Sequence, residues 1–170
     1  MRQLKSQTHR NRGAHLERLL DMTHRQYRAN GIADIRKIPT PVKITSNDRG
    51  RITGYTQRGE LVDYFGIFDG RPIIFDAKQT NERTRFPLDN IADHQYNILE
   101  SWHQKGAHAF LVVRFDKLDE QYILPFPLLL EAWTGYKGDG RKSIPYETFL
   151  TECEQVKSEK GYPLHYLKHL

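Results

Sequence analysis

The sequence has little cysteine and no long apolar segment. Cys153 is the single cysteine among 170 residues, which excludes an internal disulfide and a zinc site built on cysteines and favours a reducing compartment. No apolar run approaches the roughly 20 residues that span a bilayer. The opening residues, MRQLKSQTHRNRG, have no apolar core of a signal peptide. We therefore expect a cytoplasmic protein with no membrane partner.

A glycine-rich phosphate loop is also missing, and His94 and His108 lack the spacing of metal ligands. Lone histidines such as His94 and His108 are therefore interpreted as structural. Hydrophobic residues make up 38% and charged residues 28% of the sequence, which excludes a collagenous or wholly disordered chain. The length of 170 residues predicts a single domain, 1–170.

Positive charge is concentrated in the first third of the sequence. Residues 1–58 contain 13 Lys and Arg against 4 Asp and Glu, a net charge of +9, whereas residues 59–170 have a net charge of −4. Clustered basic side chains release counterions from phosphates, so this asymmetry favours a nucleic acid or a membrane surface as partner. A solvated basic face is the alternative.

The basic first third divides into an arm, a helix and a protrusion. Residues 1–12 are predicted to form a basic arm, and apolar spacing followed by Gly31 predicts a helix over 13–29. Two prolines then impose an extended chain, and residues 42–44 are predicted to form a strand. The following residues, about 45–60, are basic and rich in glycine and polar residues, which predicts an exposed stalk.

The remainder alternates between strand and helix patterns. Residues 88–105 are predicted to form a helix with Gln95 interrupting its apolar stripe, and AHAFLVVRF and EQYILPF are predicted as strands. A short helix, PLLLEAW, and a helix that begins at Pro145 follow. The predicted order is α-β-β-β-α-β-β-α, an α/β fold.

A hairpin at residues 61–78 gives the clearest local signal. The strand patterns LVDYFGIF and RPIIFDAK flank Asp69-Gly70, a pair that favours a type I′ turn. This register places Asp63 opposite Asp76, and Lys78 shares the face of Asp76 because side chains alternate along a strand. The other face is predicted to carry Val62, Tyr64, Phe68, Ile73 and Phe75. Apolar residues on both faces predict a covered sheet.

Two facing carboxylates beside a lysine predict a metal-assisted phosphodiester cleavage site. A divalent cation offsets the repulsion between Asp63 and Asp76, and Mg²⁺ prefers such oxygen ligands. Lys78 would stabilise charge in the transition state, while Glu17 and Gln95 could supply further oxygen atoms. A structural Asp–Lys pair is the alternative, since roughly 1.4 acidic-x-Lys triplets are expected here by chance.

Longer motifs resemble two nested nuclease families. Asp63, Asp76-Ala77-Lys78 and Glu17 are similar to the PD-(D/E)xK nuclease superfamily, although Val62 replaces its proline. NRG at 11–13, NGIADIRKIPTPVKI, VDYFGIFDGRPIIFDAK, FPLDNIADHQ and GRKSI resemble, in order and over nearly the whole chain, the RecU family of Holliday-junction resolvases. Val62 also replaces a hydroxyl residue that is frequent there, and the short arm fits a divergent or phage-borne member.

The resemblance implies a restriction-endonuclease-like αβββαβ core with a central mixed sheet, flanking helices and a stalk between the first two strands. It implies a Mg²⁺-dependent homodimeric endonuclease, with Mn²⁺ as substitute, that resolves four-way DNA junctions by symmetric paired cleavage in recombination and repair, with a recombinase as a further partner. Its catalytic residues would be Asp63, Asp76, Lys78 and Glu17, and its metal ligands Asp63, Asp76, Gln95 and Glu17. Its DNA contacts would be Arg10, Arg12, Arg49, Arg51, Tyr55, Arg58, Arg141 and Lys142.

Two other functions remain open on the sequence alone. Another PD-(D/E)xK endonuclease acting on duplex DNA would use the same carboxylates and lysine. A non-catalytic module that binds DNA junctions would need only the basic arm and stalk, and its function would not depend on a metal.

Overall fold

The computed structural model describes residues 5–56 and 61–170, and the side chains of 14–56 and 61–170. Within those residues it contains four helices, α1 (Lys5–Ala29), α2 (Asp93–His103), α3 (Phe126–Lys137) and α4 (Tyr146–Glu152). Its strands are β1 (Ala33–Lys37), β2 (Val42–Asp48), β3 (Arg51–Thr56), β4 (Tyr64–Phe68), β5 (Arg71–Thr80), β6 (Arg85–Pro87), β7 (His108–Phe115), β8 (Glu120–Pro125), β9 (Ser143–Pro145) and β10 (Glu154–Val156). None of the four helices is long and apolar enough to cross a membrane.

Six strands form one mixed sheet in the order β1-β4-β5-β7-β8-β10. The β5–β7 pair is parallel, because α2 crosses over between the two strands, and the other neighbours are antiparallel. This mixed sheet with flanking helices confirms the restriction-endonuclease-like fold. The stalk lies, as predicted, between the first two strands of this sheet in chain order, β1 and β4.

Each face of the sheet is covered by its own hydrophobic core. Helices α2, α3 and α4 cover one face, where Ile74, Leu111 and Leu124 are buried. Helix α1 and the C-terminal segment cover the other, where Phe75 and Phe110 stack with ring centroids 4.8 Å apart. Apolar residues on both faces of β5 and β7 therefore reflect a sheet enclosed on both sides.

The hairpin of β4 and β5 has the predicted register. Tyr64 pairs with Phe75 and Phe68 with Arg71, and the turn residues Asp69 and Gly70 have φ values of 48° and 73°, as a type I′ turn requires. The predicted side of Val62 is wrong. Val62 packs with the core under α2, because β4 begins only at Tyr64 and strand alternation does not extend back to residue 62.

The stalk is a separate two-stranded ribbon made of β2 and β3, and every residue of both strands is exposed. Arg49 and Gly50 form its tip with φ values of 47° and 88°. The predicted strand at residues 42–44 therefore belongs to the stalk, and the first strand of the central sheet is β1, which the sequence analysis did not predict. Only Ala33 and Ile35 of β1 are buried, too few for a clear alternating pattern.

Other differences concern element ends. Helix α1 starts at Lys5 instead of near residue 13, so residues 5–12 of the predicted arm are helical. The predicted helix over 88–105 is a short 3₁₀ turn, Leu88–Asn90, followed by α2. Strands β6, β9 and β10 have three residues each, too short for sequence periodicity to reveal.

Candidate active site

The side chains of Asp63 and Asp76 each accept a hydrogen bond from the opposite strand at the end of the β4–β5 hairpin. The backbone N–H of Asp63 donates to Oδ1 of Asp76 at 2.9 Å, and the N–H of Ala77 donates to Oδ2 of Asp63 at 3.2 Å. Each carboxylate thus occupies a position where a strand pair would otherwise place a carbonyl. The hairpin register and these bonds hold two acidic side chains side by side, with Asp76 fully buried.

Holding the carboxylates of Asp63 and Asp76 side by side is electrostatically unfavourable. Burial, and after it the negative charge of Asp76, raises the pKa of the Asp63 carboxyl to about 7. Like charges in a partly desolvated position repel strongly, and a cation held between them relieves that repulsion. The arrangement is therefore costly in the free protein and suited to a positively charged partner.

Lys78 supplies one positive charge to this pair. Its Nζ lies 2.7 Å from Oδ2 of Asp76, and it donates a hydrogen bond to Oε1 of Gln95 at 2.8 Å. The Lys78 side chain is only 16% exposed. Gln95 comes from the first turn of α2, so the site joins β5 to the start of that helix.

Asp63, Lys78 and Gln95 line a cleft of about 630 Å³. The opposite wall is formed by the chain that leads into the stalk, including Pro39 and Pro41. A cleft of this volume is in the size range of pockets that bind small molecules. The buried acid pair is therefore accessible along one side, through Asp63.

Four further polar residues line the same cleft and were not predicted from the sequence. These are Thr40, Asp89, Asn90 and His94. The 3₁₀ turn Leu88–Asn90 brings Asp89 and Asn90 there, and the first turn of α2 brings His94. No spacing pattern in the sequence signals such a 3₁₀ turn. The interpretation of His94 as merely structural overlooked its place on the cleft wall, where its ring is partly exposed.

Glu17 is engaged by a lysine of β1. Its Oε2 accepts a hydrogen bond from Lys37 Nζ at 2.6 Å, and the two form a half-exposed ion pair between α1 and β1. Burial first, and then nearby charges that include Glu17 and Asp63, raise the pKa of the Tyr64 hydroxyl. The negative charges of Glu17 and Asp63 therefore both act on the same hydroxyl.

The predicted DNA-binding residues fall in three places. Arg49, Arg51 and Tyr55 are exposed on the stalk. Arg141 and Lys142 are exposed on the loop before β9, and the Lys142 carbonyl accepts a hydrogen bond from the N–H of Leu88 at 3.0 Å, next to the cleft. Arg10 and Arg12 lie within α1, with side chains outside the described part, and Arg58 lies outside the described residues.

The donor set fits a hydrated magnesium ion. The described residues contain no group of three or more His, Cys, Asp or Glu side chains able to hold a metal. Mg²⁺ does not need one, because it usually binds one or two protein carboxylates and completes its octahedron with waters and phosphate oxygens. Asp63 and Asp76 supply those two carboxylates, at a point where their mutual repulsion calls for a cation.

Comparison with known proteins assigns the chain to a family. The family model of recombination protein U, RecU, matches residues 11–170. A Holliday junction resolvase RecU of Leuconostoc citreum is 35% identical over 170 residues, 96% of this chain and 82% of that protein. One of Pediococcus pentosaceus is 34% identical, covering 92% of this chain and 81% of that protein, and one of a Geobacillus species is 38% identical, covering 79% and 70%. With its sheet, stalk and paired aspartates, the chain belongs to the RecU family.

Proposed function

We propose that this protein is a Mg²⁺-dependent endonuclease that resolves four-way DNA junctions by cutting two opposed strands. The observation that carries the proposal is the buried Asp63–Asp76 pair with Lys78 at the edge of an accessible cleft. Relatives that share a third of its residues are named Holliday junction resolvases. The acid pair supplies the chemistry, and the stalk supplies a means of reading the shape of the substrate.

Asp63 and Asp76 would hold the metal, with Mn²⁺ as a substitute. When bound, the ion would act as a Lewis acid on the scissile phosphate and lower the pKa of a bound water. Lys78 would neutralise charge that develops on the phosphate; its ammonium group lies at the cleft and is largely shielded from solvent, which supports this role. Glu17 is proposed as an additional acidic group, and one of its oxygens is bound by Lys37 in the free protein.

The stalk is proposed to bind the junction through one of its two faces. Tyr55 pairs with Lys43 across the ribbon, and Arg51 lies on the same side of β3 as Tyr55 because the two are four residues apart. Two cations and an aromatic ring thus share one face. Such a surface contacts phosphates through its charges and unstacked bases through its ring.

The other face of the stalk supports a homodimer. Val42, Ile44 and Ile52 lie there, and each is more than half exposed. An isolated two-stranded ribbon is marginally stable in water, so we propose that a second copy of the chain covers these residues. Two active sites related by a two-fold axis would then cut a four-way junction in pairs. A recombinase partner and a cytoplasmic location remain part of the proposal.

The proposal is tested by cutting synthetic DNA of two shapes. A mobile four-way junction and a linear duplex of the same sequence are incubated with protein and Mg²⁺, with each junction strand end-labelled in turn. We expect nicks at symmetric positions on two opposed strands, no cutting of the duplex, and no cutting with a chelator. Equal cutting of the duplex would indicate a general nuclease. Binding without any cutting would indicate a junction-binding module instead.

A further inference from the structure

Tyr64, next to Asp63 in the sequence, has a buried hydroxyl without a hydrogen-bond partner. The residue is fully buried in the core beneath α1, and its Oη has no partner among the described residues. Most buried polar groups in proteins are hydrogen-bonded, because desolvating one without compensation lowers stability. The hydroxyl of Tyr64 is therefore an exception that calls for a physical reason.

The packing of Tyr64 involves its ring and not its hydroxyl. The ring stacks on Phe75 with centroids 4.8 Å apart and an interplanar angle of 10°. The His24 ring meets it edge-on at 5.1 Å. Phenylalanine could make the same ring contacts without burying an oxygen atom. The hydroxyl thus adds nothing to the packing of the free protein.

The strand register places Tyr64 beside the residue that binds Glu17. Tyr64 pairs with Lys37 across β1 and β4, and residues directly opposite in an antiparallel pair point to the same side of the sheet. Lys37 in turn donates from Nζ to Oε2 of Glu17 at 2.6 Å. The carboxylate of Glu17 therefore lies above the strand pair to which Tyr64 belongs.

The surroundings of the Tyr64 hydroxyl are negatively charged. After burial, four carboxylates raise its pKa, and in decreasing order they are those of Asp21, Glu17, Asp63 and Asp76. An ionised carboxylate only accepts hydrogen bonds, and a tyrosine hydroxyl keeps its proton at neutral pH. The hydroxyl can therefore act only as a donor to these groups, in a charge-assisted hydrogen bond.

Glu17 is the acceptor that cation binding would bring to this donor. In the free protein the charges of Asp63 and Asp76 repel Glu17, and its 40% exposed side chain pairs with Lys37. A divalent cation at the acid pair reverses the direction of that force and draws Glu17 inwards, over the hydroxyl. A carboxylate has about four acceptor positions, so Glu17 can keep its contact with Lys37 while it accepts a further hydrogen bond.

We propose that Tyr64 is a positioning residue of the metal site, whose hydroxyl donates a hydrogen bond to Glu17 when the cation is bound and orients that carboxylate towards the acid pair. The inference rests on the proposed function, in which Glu17 is an additional acidic group at the metal. It gives the buried hydroxyl a partner in the metal-bound protein that it lacks in the free protein.

The test compares two buried tyrosines of the same core. Tyr64→Phe removes the hydroxyl without a partner, whereas Tyr166→Phe removes one that lies 2.8 Å from Nε2 of His24. For the wild type and both variants, thermal unfolding is followed in the presence of a chelator. Calorimetry measures Mn²⁺ binding to each protein without DNA, and single-turnover assays measure junction cleavage.

The two variants should differ in stability and in metal affinity. With chelator, the Tm of Tyr64→Phe should equal that of the wild type or exceed it by up to about 4 °C, because an uncompensated buried oxygen is removed. The Tm of Tyr166→Phe should fall by about 3 °C or more, because His24 loses its partner. Mn²⁺ affinity should fall about 10-fold in Tyr64→Phe, as the loss of one charge-assisted hydrogen bond predicts, and cleavage at limiting Mn²⁺ should slow with it. In Tyr166→Phe the Mn²⁺ affinity should stay within twofold of the wild type.

A double-mutant cycle identifies the acceptor of the hydrogen bond. In a Glu17→Ala background, adding Tyr64→Phe should cause no further loss of Mn²⁺ affinity, because the hydroxyl acts through Glu17. In an Asp21→Ala background, the same addition should still lower the affinity about 10-fold. Asp21 is the matched control, since it lies one turn after Glu17 on α1 and also acts on the hydroxyl.

Three results would overturn the inference. Unchanged Mn²⁺ affinity in Tyr64→Phe would leave the hydroxyl without a role at the metal. A loss of stability with chelator as large as that of Tyr166→Phe, or a failure to fold, would show that the hydroxyl already has a partner in the free protein. Coupling to Asp21 instead of Glu17 would show that the acceptor is wrong. Should the wild type bind Mn²⁺ but cut no junction, the proposed function fails, while the binding and unfolding data still decide the role of Tyr64.

Discussion

At the scale of single residues, repulsion between Asp63 and Asp76 is expected to lower the stability of the folded protein, while the same two carboxylates are proposed to bind the metal. Asp63→Asn keeps an oxygen that can accept the N–H of Ala77 but removes the charge that faces Asp76. At pH 8 without metal, we expect the variant to be more stable than the wild type by about 1–3 kcal/mol and inactive towards DNA. Urea unfolding in the presence of a chelator measures the first effect and a cleavage assay the second.

The matched control is Asp139→Asn, an exposed aspartate outside the cleft. Its free energy of unfolding should equal that of the wild type, because an exposed charge is well solvated. An unchanged or lowered stability of Asp63→Asn would show that Asp63 and Asp76 do not repel one another as inferred.

A buried histidine gives the folded protein a defined pH dependence. Burial, and then the charge of Arg28, lowers the pKa of His24 from 6.5 to about 3, and its Nε2 lies 2.8 Å from the Tyr166 hydroxyl. Between those values the unfolded chain binds a proton that the folded chain does not. Stability is therefore complete above about pH 6.5 and is lost as the pH falls, by about 2 kcal/mol at pH 5.

Urea unfolding at pH 7.5 and pH 5.0 checks this, with His24→Gln as the comparison. Glutamine does not titrate but can still bond to Tyr166, so the variant should lose about 2 kcal/mol less than the wild type between the two pH values. An equal loss in both proteins would mean that His24 is not the group responsible.

Residue placement could be predicted only where local geometry fixes it. A type I′ turn sets the register of its hairpin, so the facing of Asp63 and Asp76 followed from the sequence. The cleft position of Asp89 depends on a 3₁₀ turn, and the bond between Lys78 and Gln95 depends on how α2 meets β5. Such contacts join distant segments, and one sequence has no local signal for them.

At the scale of elements, replacing each of two glycines with alanine is expected to change the stability of the protein in opposite directions. Gly66 in β4 lies so close to β1 that a Cβ there would overlap the Asp34 carbonyl and come within 2.7 Å of Ile35 Cα. Gly66→Ala should therefore destabilise the protein by about 2 kcal/mol or more, since the backbone of β1 must shift. Gly135 in α3 has open space around it, so Gly135→Ala should stabilise by about 0.5–1 kcal/mol.

Thermal unfolding of the two variants beside the wild type measures both effects. Because the same substitution is made in a strand and in a helix, the difference reports backbone proximity and not the added methyl group. A Gly66→Ala protein as stable as the wild type would contradict the close pairing of β1 and β4.

In the proposed function, substrate binding depends on the stalk. Removing Arg51 or Tyr55 by mutation to alanine should weaken junction binding about 5- to 10-fold, and Arg51→Ala should also reduce the salt dependence by about one phosphate contact. Lys105→Ala, at the opposite end of the sheet beside Gly106, is an exposed control that should change neither. Electrophoretic mobility shifts at several salt concentrations test this, and equal binding by all three variants would exclude the stalk as the DNA contact.

Element prediction succeeded where a pattern was long and local. The exposed ribbon was predicted because its residues have too little apolar character for a core. The predicted N-terminal boundary of the stalk was wrong, since Val42 and Ile44 are apolar but belong to the exposed ribbon. Hydrophobicity predicts burial only when the structure provides a surface to pack against, and sequence alone does not show that β2 has none.

At the scale of the whole molecule, the basic residues and the acid pair lie in two different regions of the chain. The basic first third contains α1 and the stalk, whereas the carboxylates lie on the hairpin that follows. The stalk strands and the cleft are neighbours through Pro39 and Pro41, which lead from β1 into β2 and line the cleft wall. In the proposed function, DNA held by the stalk would therefore lie next to the acid pair.

The most direct test of this account is Asp76→Asn, with junction binding and junction cleavage measured on the same preparation in Mg²⁺. Asparagine preserves shape and an acceptor for the N–H of Asp63 while removing the buried charge. We predict that cleavage falls by at least 1000-fold, with binding equal to the wild type or tighter, since a negative charge near the phosphates is gone. Cleavage at the wild-type rate would contradict the assignment of this pair as the catalytic centre.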